Sequence, residues 1–368
     1  MRINRLVLTN FRNYERLVWT PQSRLVVLTG ENGAGKTNLL EALSLLAPGR
    51  GLRAASNAQI QRQDGGPWGV VARLNDVAGE GMDLATGTDP ANPVRRVFRL
   101  NNEVIRNQGQ IAPYCAVTWL TPQMDRLFSD PASGRRRFFD RLVLALDPNH
   151  ARESAAHERA VTQRNRLLAT RPGQKSWLDA LEDSIARHAV ALTASRMALV
   201  DAMNVTALTD GTGFPVARVA LECEIAAELH RRPALLVEDG LRGKLAAARS
   251  EDAQRSTTSV GAHKTDFGLQ DAASGRPAAM SSSGQQKAML VHVILNHAGL
   301  TASRTGRAPF ILLDEPLNHL DLRRREALLD YLRERDFEVF LTGTDREQFA
   351  ALGSEVDYRG VAEGRFTA

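Results

Sequence analysis

The segment Gly30-Glu31-Asn32-Gly33-Ala34-Gly35-Lys36-Thr37 has residue types and spacing suited to holding phosphate. Glycines let a turn bring successive backbone N–H groups to one anion, where Cβ atoms would intrude. Lys36 offers a compact ammonium for β- and γ-phosphate oxygens, and the Thr37 hydroxyl suits Mg2+. The spacing is G-x-x-x-x-G-K-[ST], whose physical context is a strand before it and a helix after it. Both are present, as the apolar run Leu25-Val26-Val27-Leu28 and the amphipathic run from Asn38 to Leu43. A helix N-terminus there adds its partial positive charge.

A second group of reactive side chains lies far along the chain. Phe310-Ile311-Leu312-Leu313 is an apolar run that ends in Asp314 and Glu315. Such a run reads as a buried parallel strand, with ligands expected at its carboxyl end. Asp314 is placed to hold Mg2+ through water, and Glu315 to orient or deprotonate an attacking water. Between the two groups, Ser281-Ser282-Ser283-Gly284-Gln285-Gln286-Lys287 opens a helix. Two uses stay open for it: a serine N-cap on a loop, or a second phosphate-binding surface that completes a site across a dimer. Asn318-His319-Leu320-Asp321 follows the acidic pair, and Asp321 is positioned to cap the next helix.

These groups need a scaffold to bring them together. A chain of 368 residues suggests two or three domains, and 43% hydrophobic with 24% charged residues is globular in composition. No apolar run of about 18 residues is present, so no membrane span is expected. The N-terminal segment interrupts its apolar residues with charge, unlike a secretory signal. Cys115 and Cys223 have neither framework nor metal spacing and read as reduced core residues. A cytoplasmic protein is expected. The net charge of +5 permits a polyanionic partner. Lysine is rare among the 47 basic residues, occurring only at 36, 175, 244, 264 and 287. Position 36 therefore keeps lysine in a chain that otherwise chooses arginine, as a phosphate loop demands.

Along the chain, Ile3–Leu8 alternates like a strand, with Leu17–Thr20 as a hairpin partner. Val70–Leu74, Asp83–Thr86 and Val94–Leu100 read as an antiparallel β-lobe, and Ala116–Leu120 as a further strand. From Asp125 to about Ala207 the pattern is helical, broken near Asp147-Pro148 and Arg171-Pro172-Gly173. Val216–Ile225 reads as a strand, Ala226–Arg249 as helix, Ser250–Ser259 as loop, and strand returns near Phe267. A helix is expected over Gln285–His297, a strand over Phe310–Leu313, a helix over Leu322–Glu334 and a strand over Glu338–Leu341, followed by a tail. The expected architecture is α/β: a mixed sheet around the phosphate loop plus an antiparallel β-lobe, over 1–125 and 256–368, with a mainly helical insertion over 126–255.

The ordered set resembles the ABC/SMC superfamily of ATPases. GENGAGKT looks like its Walker A motif, Gln123 like the Q-loop, SSSGQQK like the signature, LLDEP like Walker B and NHLD like the D-loop. In that superfamily two protomers sandwich two ATP molecules, each between one Walker A and the other protomer's signature. Within it, LTNFRNYERL, ENGAGKTNLLEALSLLAPGRGLR, RRRFFDRLVLALDP and GAHKTDF resemble the RecF family over nearly the whole chain. The resemblance implies ATP and Mg2+ as cofactors, with Gly30, Glu31, Asn32, Gly33, Ala34, Gly35, Lys36, Thr37, Ser283, Gly284, Gln285 and Asp321 binding ATP. It implies Glu315, Asp314 and Gln123 as catalytic residues, and Thr37, Gln123 and Asp314 as the Mg2+ site. It further implies an ATP-gated homodimer that hydrolyses ATP weakly, binds single-stranded or gapped DNA, helps load a recombinase, and works with RecR and RecO in repair and replication restart. Several positions depart from the family's pattern. Ala34 replaces a common polar residue, Glu315-Pro316 is more transporter-like, and Thr342-Gly343-Thr344-Asp345 holds no switch histidine, which fits slow turnover.

Phosphate contacts with DNA need several basic groups on one face. Candidates are Arg50 and Arg53, Arg135 and Arg136 with Arg137, and Arg323-Arg324-Arg325. Such runs also serve as solvated helix faces, and the Arg135 run as an aid to ATP-site closure. No interleaved aromatic platform is visible, so contact with the DNA backbone without base readout is expected. Arg12 and Asn13 are expected near the nucleotide, and His263 is expected to be structural. Two other readings compete: the ATPase subunit of a membrane transporter, and an ATP-binding scaffold without turnover. The long interval between Gln123 and Ser283 argues against the transporter subunit, and the intact Asp314-Glu315 pair against the scaffold.

Overall fold

The computed structural model describes residues 1–75, 79–207 and 214–367. In chain order the elements begin with β1 (Arg2–Phe11), β2 (Tyr14–Trp19), β3 (Leu25–Thr29), α1 (Lys36–Ser44) and α2 (Asn57–Ile60). Then come β4 (Gly69–Asn75), β5 (Gly81–Asp89), β6 (Asn92–Leu100), β7 (Glu103–Ile105) and β8 (Val117–Leu120). The middle of the chain holds α3 (Ala132–Leu146), α4 (His150–Thr170), α5 (Lys175–Val205), β9 (Ala217–Glu222), α6 (Glu224–Leu229), α7 (Ala234–Ala247), α8 (Arg249–Arg255) and β10 (Asp266–Asp271). The last part holds α9 (Ser283–Thr305), β11 (Phe310–Leu313), α10 (Leu322–Glu334), β12 (Val339–Gly343), β13 (Asp357–Ala362) and β14 (Arg365–Thr367).

Two compact units result, one built mainly from Met1–Asp125 and Ser282–Ala368, the other from Arg126–Ala207 and Ala217–Ser281. In the first, a six-stranded sheet runs β14-β13-β3-β12-β11-β8. Its strands from β13 to β8 are parallel, and only β14 is antiparallel. β11 and the first four residues of β3, Leu25–Leu28, are apolar and buried, as a sheet covered on both faces requires. The second sheet of this unit, β2-β1-β4-β5-β6-β7, is wholly antiparallel. One hydrophobic core joins both sheets to α1, through residues such as Leu8, Phe11, Leu39, Leu43, Val70 and Leu312. Each fully buried side chain of this kind contributes about 1.5–3 kcal/mol.

The second unit centres on α4 and α5, and α5 packs with α7 around Ala186, Ala189, Val190, Val237 and Leu241. Its polar pivot is Arg164, wholly buried. Its guanidinium donates to Glu182 at 2.9 Å, Asp252 at 2.7 Å, Thr258 at 3.0 Å and the Leu245 carbonyl at 2.7 Å.

Three expectations need revision. The second unit runs on to Ser281 rather than stopping at 255. The reason is that β10 pairs antiparallel with β9 along its length, from Asp266 opposite Glu222 to Asp271 opposite Ala217. Phe139 stacks on Phe267 at 4.7 Å in the same unit. The polar run from Ser250 is not all loop, because Arg249–Arg255 is helical with Asp252 turned in to Arg164. The segment after β12 is not a mere tail, since β13 pairs with β3 inside the central sheet.

Candidate functional site

The parallel pairing aligns the carboxyl ends of β8, β11, β12 and β3, and the reactive side chains stand there. Leu313 at the end of β11 lies opposite Leu120 of β8 and Leu341 of β12, while Thr29 ends β3 opposite Gly343. The Asp314 N–H donates to the Leu120 carbonyl at 2.9 Å, which fixes the first acid at that rim.

The phosphate loop spans the turn from β3 into α1. Gly30 has φ 143° and Gly35 φ 119°, both in the region that favours glycine. A Cβ on Gly30 would lie 2.3 Å from the Val361 carbonyl oxygen, so β13 fixes the need for glycine there. The Lys36 ammonium folds back on its own loop, donating to the carbonyls of Gly30 at 2.6 Å and Glu31 at 2.9 Å. Burial lowers its pKa, and the nearby Glu315 and Asp314 charges work against that shift. An ammonium whose hydrogen-bond partners are two loop carbonyls is poised to exchange them for phosphate oxygens.

Thr37 and Asp314, far apart in sequence, meet. The Thr37 hydroxyl lies 2.9 and 3.0 Å from the two Asp314 carboxylate oxygens. The Thr342 hydroxyl of β12 donates to Asp314 Oδ1 at 2.8 Å and accepts the Glu315 N–H at 2.9 Å. One wholly buried hydroxyl thus ties both acids. Glu315 sits at φ 49°, a left-handed conformation for a non-glycine residue, and its Oε2 accepts from Asn318 Nδ2 at 2.9 Å. Hydroxyl and carboxylate are hard oxygen donors, so Thr37 and Asp314 fit Mg2+, which keeps much of its water. Gln123 lies exposed in the 3-10 turn Pro122–Arg126 after β8 and makes no hydrogen bond to either acid.

The serine-rich segment starts α9. Ser282 is its N-cap, accepting the Gln285 N–H, while Gln285 reaches back to the Ser282 N–H. Gly284 stands in the first turn, where a Cβ would lie 2.7 Å from the His319 carbonyl oxygen. Gly284 thus packs against the turn at His319, and Asp321 caps α10 by accepting the Arg324 N–H at 2.9 Å. Lys287, which the motif reading left without a role, is almost wholly buried. Its ammonium donates to the Glu315 carbonyl at 3.1 Å and lies 3.4 Å from Asp125 Oδ2, with its pKa lowered by burial.

Four of the basic candidates are held by partners within their own units. Arg50 donates to the Ala54 carbonyl at 3.0 Å, and Arg53 to Asn38 at 2.6 Å and Glu41 at 2.9 Å. Arg135 forms a two-point pair with Asp266 at 2.8 and 2.6 Å, and Arg136 donates to the Thr265 carbonyl at 2.9 Å. Arg12 grips Glu41 rather than standing free, at 2.8 and 2.7 Å. His263 hydrogen-bonds the Thr258 carbonyl at 2.9 Å, and burial lowers its pKa.

The family model for the RecF/RecN/SMC N terminal domain matches residues 2–362. The chain is 41% identical over 367 residues to the DNA replication and repair protein RecF of Mesorhizobium japonicum, covering 98% of this chain and 96% of that one. This chain belongs to the RecF family. The RecF protein of Brucella abortus is 40% identical, with 99% of this chain and 96% of that one covered. Among solved structures, one described as the recombination mediator protein RecF-ATPrS in the RecFOR pathway superposes with TM-score 0.86 at 20% identity, covering 99% and 97%. A Smc head domain from Pyrococcus furiosus superposes at TM-score 0.54 and 14% identity, covering 99% and 95%. The RecF-family fold, an SMC-type ATPase head with a helical insertion, is the one this chain adopts. Among the described residues no helix is long and apolar enough to cross a membrane.

Proposed function

We propose that this RecF-family chain is an ATP-gated, DNA-binding ATPase of DNA repair and replication restart. The observation that carries the reading is the meeting of Thr37, Asp314 and Thr342 at the strand ends beside the Lys36 ammonium. In this reading Gly30–Thr37 cradle the triphosphate through backbone amides. Lys36 leaves the Gly30 and Glu31 carbonyls for β- and γ-phosphate oxygens. Thr37 and Asp314 hold Mg2+, which when bound neutralises charge on the phosphates. Glu315 orients the attacking water and takes its proton, and its left-handed backbone, tied to Thr342, aims the carboxylate.

Ser283, Gly284 and Gln285 of a second copy complete the site in this reading, so ATP makes a homodimer. DNA is bound through its phosphates without base readout, as single strands or gaps, and partners of the RecR and RecO kind act with the dimer in the cytoplasm. Hydrolysis is weak and acts as a switch. Gln123, exposed and without a hydrogen bond to either acid, favours a second reading in which ATP is bound without significant turnover. Phosphate release with and without gapped DNA separates the two. DNA-stimulated release that Glu315→Gln abolishes supports the switch; release at background in the parent chain supports the scaffold.

A further inference from the structure

We propose that two turns outside the phosphate loop preset its amides for the triphosphate, with Asn13, Tyr14 and Gly364 as positioning residues. The inference rests on the nucleotide-binding reading of Gly30–Thr37 and adds residues that no part of that motif contains.

The Ala34 carbonyl oxygen accepts two hydrogen bonds. Asn13 Nδ2, in the turn between β1 and β2, donates at 2.9 Å. The Gly364 N–H, in the turn between β13 and β14, donates at 3.0 Å. The next carbonyl, that of Gly35, accepts from the Tyr14 hydroxyl at 3.0 Å and from the Leu39 N–H at 3.1 Å. A trans peptide holds its C=O and the following N–H antiparallel, and the chain contains no cis peptide bond among its described residues. Pinning the Ala34 carbonyl therefore points the Gly35 N–H away from Asn13 and Gly364. Pinning the Gly35 carbonyl does the same for the Lys36 N–H relative to Tyr14. Two consecutive amides of the cradle are aimed before any anion arrives.

The fit leaves little slack. Gly364 has φ 74°, and a Cβ on it would lie 2.4 Å from the Asn13 carbonyl oxygen, so the two turns touch each other as well as the loop. Gly35 needs its missing Cβ for the same reason, because one would lie 2.6 Å from Asn13 Nδ2 and 3.1 Å from the Tyr14 hydroxyl. Asn13 is itself oriented by Asn38 of α1, whose Nδ2 donates to Asn13 Oδ1 at 2.8 Å. Tyr14 is wholly buried, and burial pushes its phenol up, so it stays a donor at any working pH. Val361 completes the bracing where its carbonyl meets Gly30.

The test measures binding of a fluorescent ATP analogue with Mg2+ to the full chain, alongside melting temperature without nucleotide. Tyr14→Phe deletes one hydroxyl at constant shape, and Asn13→Ala one donor. Each is expected to weaken binding by about 2- to 10-fold and to lower melting by no more than a few degrees, because the bond exists without nucleotide but each carbonyl keeps its second donor. Gly364→Ala is expected to weaken it at least as much. The Asn13→Ala and Gly364→Ala pair should be clearly non-additive, because both act on one carbonyl. Glu363→Gly, at a neighbouring turn position with φ 48°, should bind like the parent chain. If Gly364→Ala fails to fold, the Tyr14 and Asn13 variants carry the test alone. Parent-like affinity in both overturns the bracing role while leaving the nucleotide site intact. A parent chain that binds no better than Lys36→Ala overturns the nucleotide reading and the bracing with it.

Discussion

Thr342→Val removes one hydroxyl and keeps the side chain's shape. In the folded chain that hydroxyl donates to the Asp314 carboxylate at 2.8 Å and receives the Glu315 N–H at 2.9 Å, wholly out of water. A hydrogen bond to a charged acceptor contributes about 1.5–3 kcal/mol, and an unsatisfied buried N–H costs about 1–3 kcal/mol. Asp314 keeps the Thr37 hydroxyl, so part of the loss is recovered and a destabilisation of about 2–4 kcal/mol is expected. Function should fall with it, because Glu315 loses the anchor of its left-handed backbone. An alignment loss equivalent to 1.4 kcal/mol slows phosphate release about tenfold. Urea unfolding followed by tryptophan fluorescence reads the first effect, since Trp19, Trp68 and Trp119 all lie in the unit that holds the site. Steady-state phosphate release with gapped DNA reads the second. Thr342→Ser restores the hydroxyl and should recover most of both. The reasoning is refuted by a valine variant within about 0.5 kcal/mol of the parent and equally active, or by a serine variant no better than valine.

Ser283→Arg is expected to abolish ATP-dependent dimerisation while leaving ATP binding by the monomer unchanged, read by light scattering and by analogue binding. Arg164→Met should destabilise the helical unit by about 3–5 kcal/mol, because it strips a buried carboxylate cluster of its main cation. Chemical denaturation measures that loss, and a shift under about 1 kcal/mol would contradict the pivot role. Acid and base should act oppositely on the two units. Burial holds His157 down to about 3, so an unfolded chain protonates first and the helical unit loses stability as pH falls from about 6.5 towards 3. Burial raises Glu338 to about 7, so the sheet-bearing unit gains stability as pH falls from 7 towards 4.5 and loses it as pH rises through that window. Amide hydrogen exchange across this range checks both signs, and Glu338→Gln should flatten the second.

Much of this was legible because local pattern and chemistry coincided. The apolar run Phe310–Leu313 is a strand with the expected bounds, since a buried parallel strand needs apolar residues on both faces. Leu322–Glu334 likewise begins where its Asp321 cap predicts. What escaped depends on distant pairing. β13 is only Asp357–Ala362, with three half-buried residues, and nothing local marks it as an interior strand beside β3. Its hairpin turn meets the phosphate loop through the Gly364 N–H, a contact no side-chain motif encodes. β10 is short and depends on β9 for its place, so the unit boundary fell late. Lys287 closes the signature-like run and Thr342 opens the stretch without a switch histidine, yet neither context marks the role that comes from the acidic turn each one reaches. The arginines after α1 and in α3 are identifiable by type, but their internal partners Glu41 and Asp266 are not.

At the centre of the account is a half-site on one copy completed by the signature of another. Light scattering on the full chain with ATP, with ADP and without nucleotide, each with and without gapped DNA, tests this most directly. The account predicts twice the 40.3 kDa chain mass with ATP alone among the nucleotide states, and loss of that doubling in Ser283→Arg. A mass that is the same in all three states would contradict it.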